Sequence, residues 1–373
     1  MVADRTLFRS LAKLAHRACR LPQEMGSTEN LLTEHLIINI PSSTACRYIV
    51  TTDRRIDRPE EFILGLLTAD SIAAGPQSAD LLRQAIDAAE LRIRSHVADD
   101  SPCQAELAYI AAPMDESDRP LSAAWHIVID SETSPTQQPQ RARLIRAAAR
   151  ALADATDGQL ADPCTAQLIR PVPGIDGERD WFCPADGWVG IDCRINNDGG
   201  MDTAGPAECE CLCLFTRGLS RFGLPDLAVD RVPCDYDLAA TNVMRGLAVR
   251  LLRRLWADPA THELRLDSSI DVEPEDVWAY WGARPLFGLP VPFLLAPTSR
   301  DDLPPGRHLE LLPRRDFPGT RPEWAAHVLN QGVSSVAGWQ PDTPPYRIDK
   351  QPASEIRAGD ALLFGELVAL EQE

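Results

Sequence analysis

Residues 123–158, AAWHIVIDSETSPTQQPQRARLIRAAARALADATDG, hold the two periodicities that decide the fold class. From Ala123 to Asp130 the pattern alternates, with Trp125, Ile127 and Ile129 on one face and His126 and Val128 on the other, which is the period of a β-strand. After a polar loop, Arg141 to Thr156 aligns Leu144, Ile145, Ala148 and Leu152 along one stripe of a helix that stops at Asp157-Gly158. A strand followed by an amphipathic helix implies a sheet with a helix laid across it.

Toward the N-terminus, Glu34–Ile40 and Arg47–Thr52 read as strands separated by the turn residues Pro41, Ser42 and Ser43. Ser78 to Val97 reads as one helix, with Leu81, Leu82, Ala85, Ile86, Ala89, Ile93 and Val97 on a face, and Gln104 to Ala111 reads as a strand. The resulting order, ββαββα, predicts an α+β fold with antiparallel or mixed sheets and helices packed on one face. Pro171, Pro173, Gly174 and Gly177 mark a boundary. Two or three domains are therefore expected: a basic N-terminal helix and loop over 1–30, an α+β domain over 31–170, and a second over 178–373. A further division is expected near 285, where a Pro-rich section begins.

Beyond the boundary, Gly187–Ile195 and Glu208–Phe215 read as strands joined by the loop Asn196–Pro206, and Leu227–Val232 as another strand. Asp237 to Trp256 is the strongest helix, with Leu247, Ala248, Leu251, Leu252 and Leu255 on one face. His262–Asp267, Arg307–Leu312 and Ala361–Leu370 read as strands and Pro322–Leu329 as a short helix. The apolar run Leu286–Ala296 contains Pro290 and Pro292 and is shorter than the roughly 20 residues of a membrane span, so it is expected in the core.

The charge balance narrows the function classes. Fifty-five acidic residues against 37 Lys plus Arg give the 373-residue chain a net charge of -18, which repels polyanions and argues against a nucleic-acid ligand. Only Lys13 and Lys350 are lysines, so a lysine nucleophile is not expected. The ten cysteines occur without a secretory signal, which predicts a cytoplasmic protein with reduced thiols. From Arg5 to Gln23 there are five basic residues and no acid; this amphipathic stretch is expected to pack on the acidic remainder.

Few motifs carry chemistry. Cys209, Cys211 and Cys213 are candidate metal ligands, with Cys183, Cys193 and Cys234 as further candidates. In a strand their spacing sends all three thiols to one face about 7 Å apart, and core packing accounts for them without an ion, so neither metal nor cofactor is expected. The Asp192–Asp202 loop lacks the alternating oxygens and final glutamate of a calcium loop. Gly218, Ser220 and Gly223 are not spaced as a nucleophile elbow, and the seven histidines are scattered. Trp278, Tyr280 and Trp281, with the acids Glu273, Glu275 and Asp276, form the candidate partner-binding surface, although an aromatic group of this kind also suits a core.

The run Thr216, Gly218, Leu219, Phe222, Gly223, Leu224, Pro225, Asp226, Leu227 resembles the T-x-G-x-x-x-x-G-x-P-[DE]-L stretch of several uncharacterised bacterial domain families. Ala151 to Asp162 is similar to another passage of such proteins, and some of those families are linked with immunity to bacterial toxins. The resemblance implies no catalytic residue. Together with the acidity it makes a non-enzymatic, immunity-like protein-binding module with a basic protein partner the expected function. The alternative is a hydrolase or metal-dependent enzyme with its site in an inter-domain cleft.

Overall fold

The computed structural model describes residues 35–68, 78–112, 123–169, 178, 182–195, 209–281 and 289–325, all within one compact unit, His35–Glu373. The basic N-terminal helix, the 196–206 loop and the strand Ala361–Leu370 lie outside the described residues. The fold is α+β with antiparallel and mixed sheets.

The first large sheet is antiparallel throughout, in the order β3-β4-β2-β5-β6. Its strands are β2 (Thr44–Thr52), β3 (Leu91–Val97), β4 (Trp125–Thr133), β5 (Gln159–Asp162) and β6 (Gln167–Ile169). The alternation of β4 is realised as read: Ile127 and Ile129 enter the core beneath the helices, while Val128 packs on the opposite face. Three helices cover the first face, α1 (Pro59–Thr68), α2 (Ser78–Asp87) and α4 (Gln140–Ala155), burying Ile63, Leu82, Ile145 and Leu152 completely. On the other face, α3 (Gln104–Ala111) sets Leu107 and Ile110 against Ile49, Val128 and Ala161.

Two elements differ from the sequence reading. The single helix expected over Ser78–Val97 ends at Asp87, and Leu91–Val97 is strand β3. Ala89 adopts φ +56°, and the Glu90 amide reaches back to the Ala85 carbonyl at 3.0 Å, closing the helix as a glycine would. Ile93 and Val97 satisfy both a helical stripe and a strand alternation, and cross-strand pairing with Ile129 and Trp125 decides between them. Gln104–Ala111, expected as a strand, is helix α3; its Ala, Glu and Leu content favours the helix, and the three- and four-residue spacing of Leu107, Ile110 and Ala111 gives it a buried face.

The second large sheet runs β11-β12-β13-β9-β8-β7 and is mixed, because β13 (His308–Leu312) pairs parallel to β9 (Asp226–Val232). The remaining strands are β7 (Gly190–Ile195), β8 (Leu212–Arg217), β11 (Ser269–Val272) and β12 (Val291–Thr298). Helix α5 (Asp237–Ala257) packs against this sheet with Leu247, Leu251, Leu252 and Leu255 buried. Each such side chain contributes roughly 1.5–3 kcal/mol relative to exposure. Strand β1 (His35–Asn39), expected beside β2, pairs instead with β10 (Glu263–Asp267), and both present alternate leucines or isoleucines to the core around α5. Helix α6 (Pro274–Tyr280) and the single turn α7 (Arg321–Trp324) complete the element order. Among the described residues no helix is long and apolar enough to cross a membrane.

Charged groups join the two sheets. Arg221, on the turn between β8 and β9, is fully buried; it donates to both oxygens of the equally buried Asp162 at 3.0 and 2.8 Å and to the Tyr48 hydroxyl at 3.0 Å. That turn needs its glycines. Gly218 and Gly223 take φ +105° and +92°, and a Cβ on Gly218 would lie 2.4 Å from the Trp188 carbonyl oxygen. A second buried group has Arg146 and Arg150 both donating to Glu178, with Arg146 stacked 3.3 Å over the Trp188 ring.

Candidate metal centre

Strands β8 and β9 pair antiparallel with Leu212 opposite Val232. Continued past the end of the ladder, that register lays residues 209–211 alongside 233–235, so the Cys234 thiol falls between those of Cys209 and Cys211. Pro233 keeps the backbone extended just before Cys234, and a short turn over Cys234–Tyr236 leads into α5. The three sulfurs are 3.0 Å (Cys209–Cys211), 3.4 Å (Cys209–Cys234) and 2.8 Å (Cys211–Cys234) apart. Cys209 and Cys211 are buried and Cys234 is partly exposed, so the group is approached from the Cys234 side.

Electrostatics single out one sulfur. Burial raises the Cys209 thiol, but hydrogen bonds from Cys211 and from the Cys234 amide, whose N lies 3.3 Å from the sulfur, outweigh it and hold Cys209 below the ordinary thiol value. Burial pushes Cys211 up to about 12, reinforced by its hydrogen bonds to the other two.

Only two of the three cysteines singled out by spacing belong to this group. Cys213 lies on the opposite face of β8, against Phe215, Ala228 and Leu303, because the register shifts between Leu212 and Leu214 and breaks the simple alternation. Of the further candidates, Cys234 completes the set. Cys193 is exposed on β7 within electrostatic reach of Cys234, and the Cys183 thiol faces the Tyr280 carbonyl oxygen at 3.5 Å. Among the described residues, no fourth Cys, His, Asp or Glu joins the three within the 4.8 Å that encloses them.

The chemistry of a three-sulfur set is specific. A thiophilic ion with metal–sulfur bonds of about 2.3 Å in tetrahedral geometry separates its sulfurs by about 3.8 Å, so the present thiols would spread by roughly 1 Å or less on losing their protons. A disulfide requires about 2.05 Å and can use only two of the three.

The aromatic candidates are placed elsewhere. Trp278 and Tyr280 on α6 are 9% and 4% exposed and belong to the core around α5, with the Tyr280 hydroxyl donating to the Val189 carbonyl at 2.6 Å. Trp281 is partly buried beneath Arg245, whose guanidinium stands 4.7 Å from its ring. Asp276 is buried and receives Arg250 and Arg253 from α5 at 3.0 and 3.2 Å, while Glu273 caps the start of α6. Of the six residues only Glu275 is exposed. The fold also brings His96 and His126 opposite one another on β3 and β4; burial, then the His96 charge, lowers the His126 imidazole.

No protein-family model, curated protein or solved structure matches the chain.

Proposed function

We propose that the protein is a non-enzymatic metal-binding protein in which Cys209, Cys211 and Cys234 hold one thiophilic ion, zinc being the reference case. The observation that carries this reading is the convergence of three sulfurs within 3.4 Å of one another, with a backbone amide already aimed at one of them. The approach from one side and the burial of two ligands suit an ion that ties the start of β8 to the start of α5 better than one exposed to a large substrate. Its binding energy would add to folding.

The test is titration of the reduced full chain with Co2+ and Zn2+. The expected result is one equivalent bound, a sulfur-to-cobalt charge-transfer band, and a melting temperature that rises with Zn2+ and returns on chelation. Cys211→Ala is expected to weaken binding on the order of a hundredfold or more, since loss of a mere outer partner of a ligand costs about 10–100-fold. Absence of the charge-transfer band, or equal binding by C211A, would overturn the reading.

The net charge of -18 supports a second reading, in which the acidic chain also binds a basic protein as an immunity-like module. Glu275 is the remaining exposed member of the surface expected from sequence. Co-elution of a basic partner at low salt that is abolished at high salt is the expected outcome.

A further inference from the structure

The three-sulfur group sits where an added charge is costly. Cys209 and Cys211 are 1% and 0% exposed and belong to the hydrophobic core around α5, and Cys234 packs against that core. The charged residues closest in sequence are acids: Glu210 lies between the first two cysteines, and Asp235 and Asp237 follow Cys234. Arg231 meets Glu210 at 3.6 Å, and Asp237 meets the positive end of α5, its carboxylate accepting the Leu238 amide. Three thiolates around a divalent ion would leave one negative charge in this setting, next to Asp235, and burying a net charge is unfavourable. Three thiolates around a trivalent centre leave none.

Shape points the same way. A tetrahedral zinc site holds its sulfurs about 3.8 Å apart, whereas these are 2.8, 3.0 and 3.4 Å apart. An atom that makes three bonds and keeps a lone pair closes the angles between those bonds below the tetrahedral value. At a similar bond length its sulfurs therefore draw together, toward the triangle found here. Among the described residues the ligand set numbers three, which satisfies such an atom in full and a tetrahedral ion only in part. Thiolate donors also select soft centres.

We propose that Cys209, Cys211 and Cys234 take trivalent arsenic or antimony, delivered as the neutral hydroxide M(OH)3, in preference to a divalent ion; this deepens the metal-binding reading above and rests on it. Each sulfur forms a bond to M as one M–OH bond breaks, and the thiol hydrogen leaves with that hydroxide as water. In total M(OH)3 and three thiols become M(SCys)3 and three waters, M stays trivalent, and nothing is oxidised or reduced. The hydroxide enters from the Cys234 side, where the group is partly exposed, and the two buried thiols complete the set. Reactant and product are both neutral, so no net charge is buried at either end of the reaction.

Sodium arsenite is the probe. The reduced full chain, loaded with one equivalent of Co2+, is titrated with it while the sulfur-to-cobalt charge-transfer band is followed. The expected result is complete loss of the band at one equivalent of arsenite, with no recovery in a large excess of Co2+. Native mass spectrometry of the metal-free chain treated with arsenite is expected to show one arsenic gained and three hydrogens lost. Cys234→Ser is expected to weaken arsenite binding on the order of a hundredfold or more. A cobalt band that persists through several equivalents of arsenite, or that excess Co2+ restores, overturns the preference and leaves the metal-binding reading standing. If no cobalt band forms at all, that reading falls and the proposal falls with it. An adduct that has lost only two hydrogens, or equal arsenite binding by C234S, shows that the three sulfurs do not act together and overturns the proposal. The cobalt competition and the mass change are read on the wild-type chain, so neither depends on a variant that folds.

Discussion

Two groups of sulfur occupy the interior, and they differ in what was placed beside them. Cys209, Cys211 and Cys234 gather where a strand pair ends, supported by a backbone amide and by one another. Cys46 and Cys164 lie within electrostatic reach of a buried guanidinium that is itself locked between Asp162 and Tyr48. Three sulfurs bonded to one another can share a positive charge that has yet to arrive. Two sulfurs within reach of Arg221 already have a fixed positive charge near them. The number of sulfurs and the position of the nearest fixed charge, rather than cysteine content, separate a group suited to an ion from thiols that already face a fixed charge.

The sharpest way to break this comparison is to remove the fixed charge. Arg221→Met removes the guanidinium but keeps an unbranched apolar stem, and leaves Asp162 buried and unpaired, which is expected to destabilise the fold by about 3–5 kcal/mol in urea denaturation. Pairing it with Asp162→Leu is expected to return much of that loss, because the uncompensated charge goes as well. Metal affinity of either protein that still folds should stay at the wild-type value. A parallel fall in metal affinity would mean that the two sulfur groups are one coupled system.

A smaller effect sharpens the picture of the turn that carries Arg221. Asp226 accepts the Thr216 hydroxyl at 3.0 Å and the Leu219 amide at 3.2 Å, and burial pushes its carboxyl up to about 7 despite those bonds. A carboxyl raised in the folded state favours folding while protonated. Its contribution is complete below the unfolded value near 4 and is lost as pH rises through 7, so this residue makes the fold less stable at pH 8 than at pH 5. Asp226→Asn is expected to flatten that part of the stability–pH curve, by a few kcal/mol at most, in denaturation series at fixed ionic strength. An unchanged slope would show that the acid ionises without penalty.

Much of the scaffold was legible in the sequence because single-period segments carry their own answer. Strand β4 and helices α4 and α5 each have one dominant periodicity; the two helices lie within a residue of their expected bounds and the strand within two or three. The α2–β3 passage was not legible, since Ile93 and Val97 serve two periods and the helix stop falls on an alanine in a glycine-like conformation. Pairing of β1 with β10 joins residues more than 220 positions apart, which local pattern cannot carry. The same limit applies to the sites. Cys234 becomes a neighbour of Cys209 only through the β8–β9 register, and Arg221 looks like one more turn residue until Asp162 is brought against it from the other sheet. The Trp278 and Tyr280 pair had its two readings open in the sequence, and the close approach of α6 to Gly246 of α5 places both rings inside.

Cys213 gives the smallest expected effect and tests the geometry most directly. By spacing it belongs with Cys209 and Cys211, and by the shift between Leu212 and Leu214 it belongs to the other face of β8, where Arg300 lies 3.7 Å from its sulfur. Burial pushes its thiol up to about 11, as suits a small apolar core residue rather than a ligand. Cys213→Ala removes one buried sulfur and is expected to cost about 1 kcal/mol of stability. It should leave the cobalt stoichiometry and affinity unchanged. Should C213A lose cobalt as C211A is expected to, the bulge in β8 is not what divides these thiols, and spacing along the chain was the better guide to the ligand set after all.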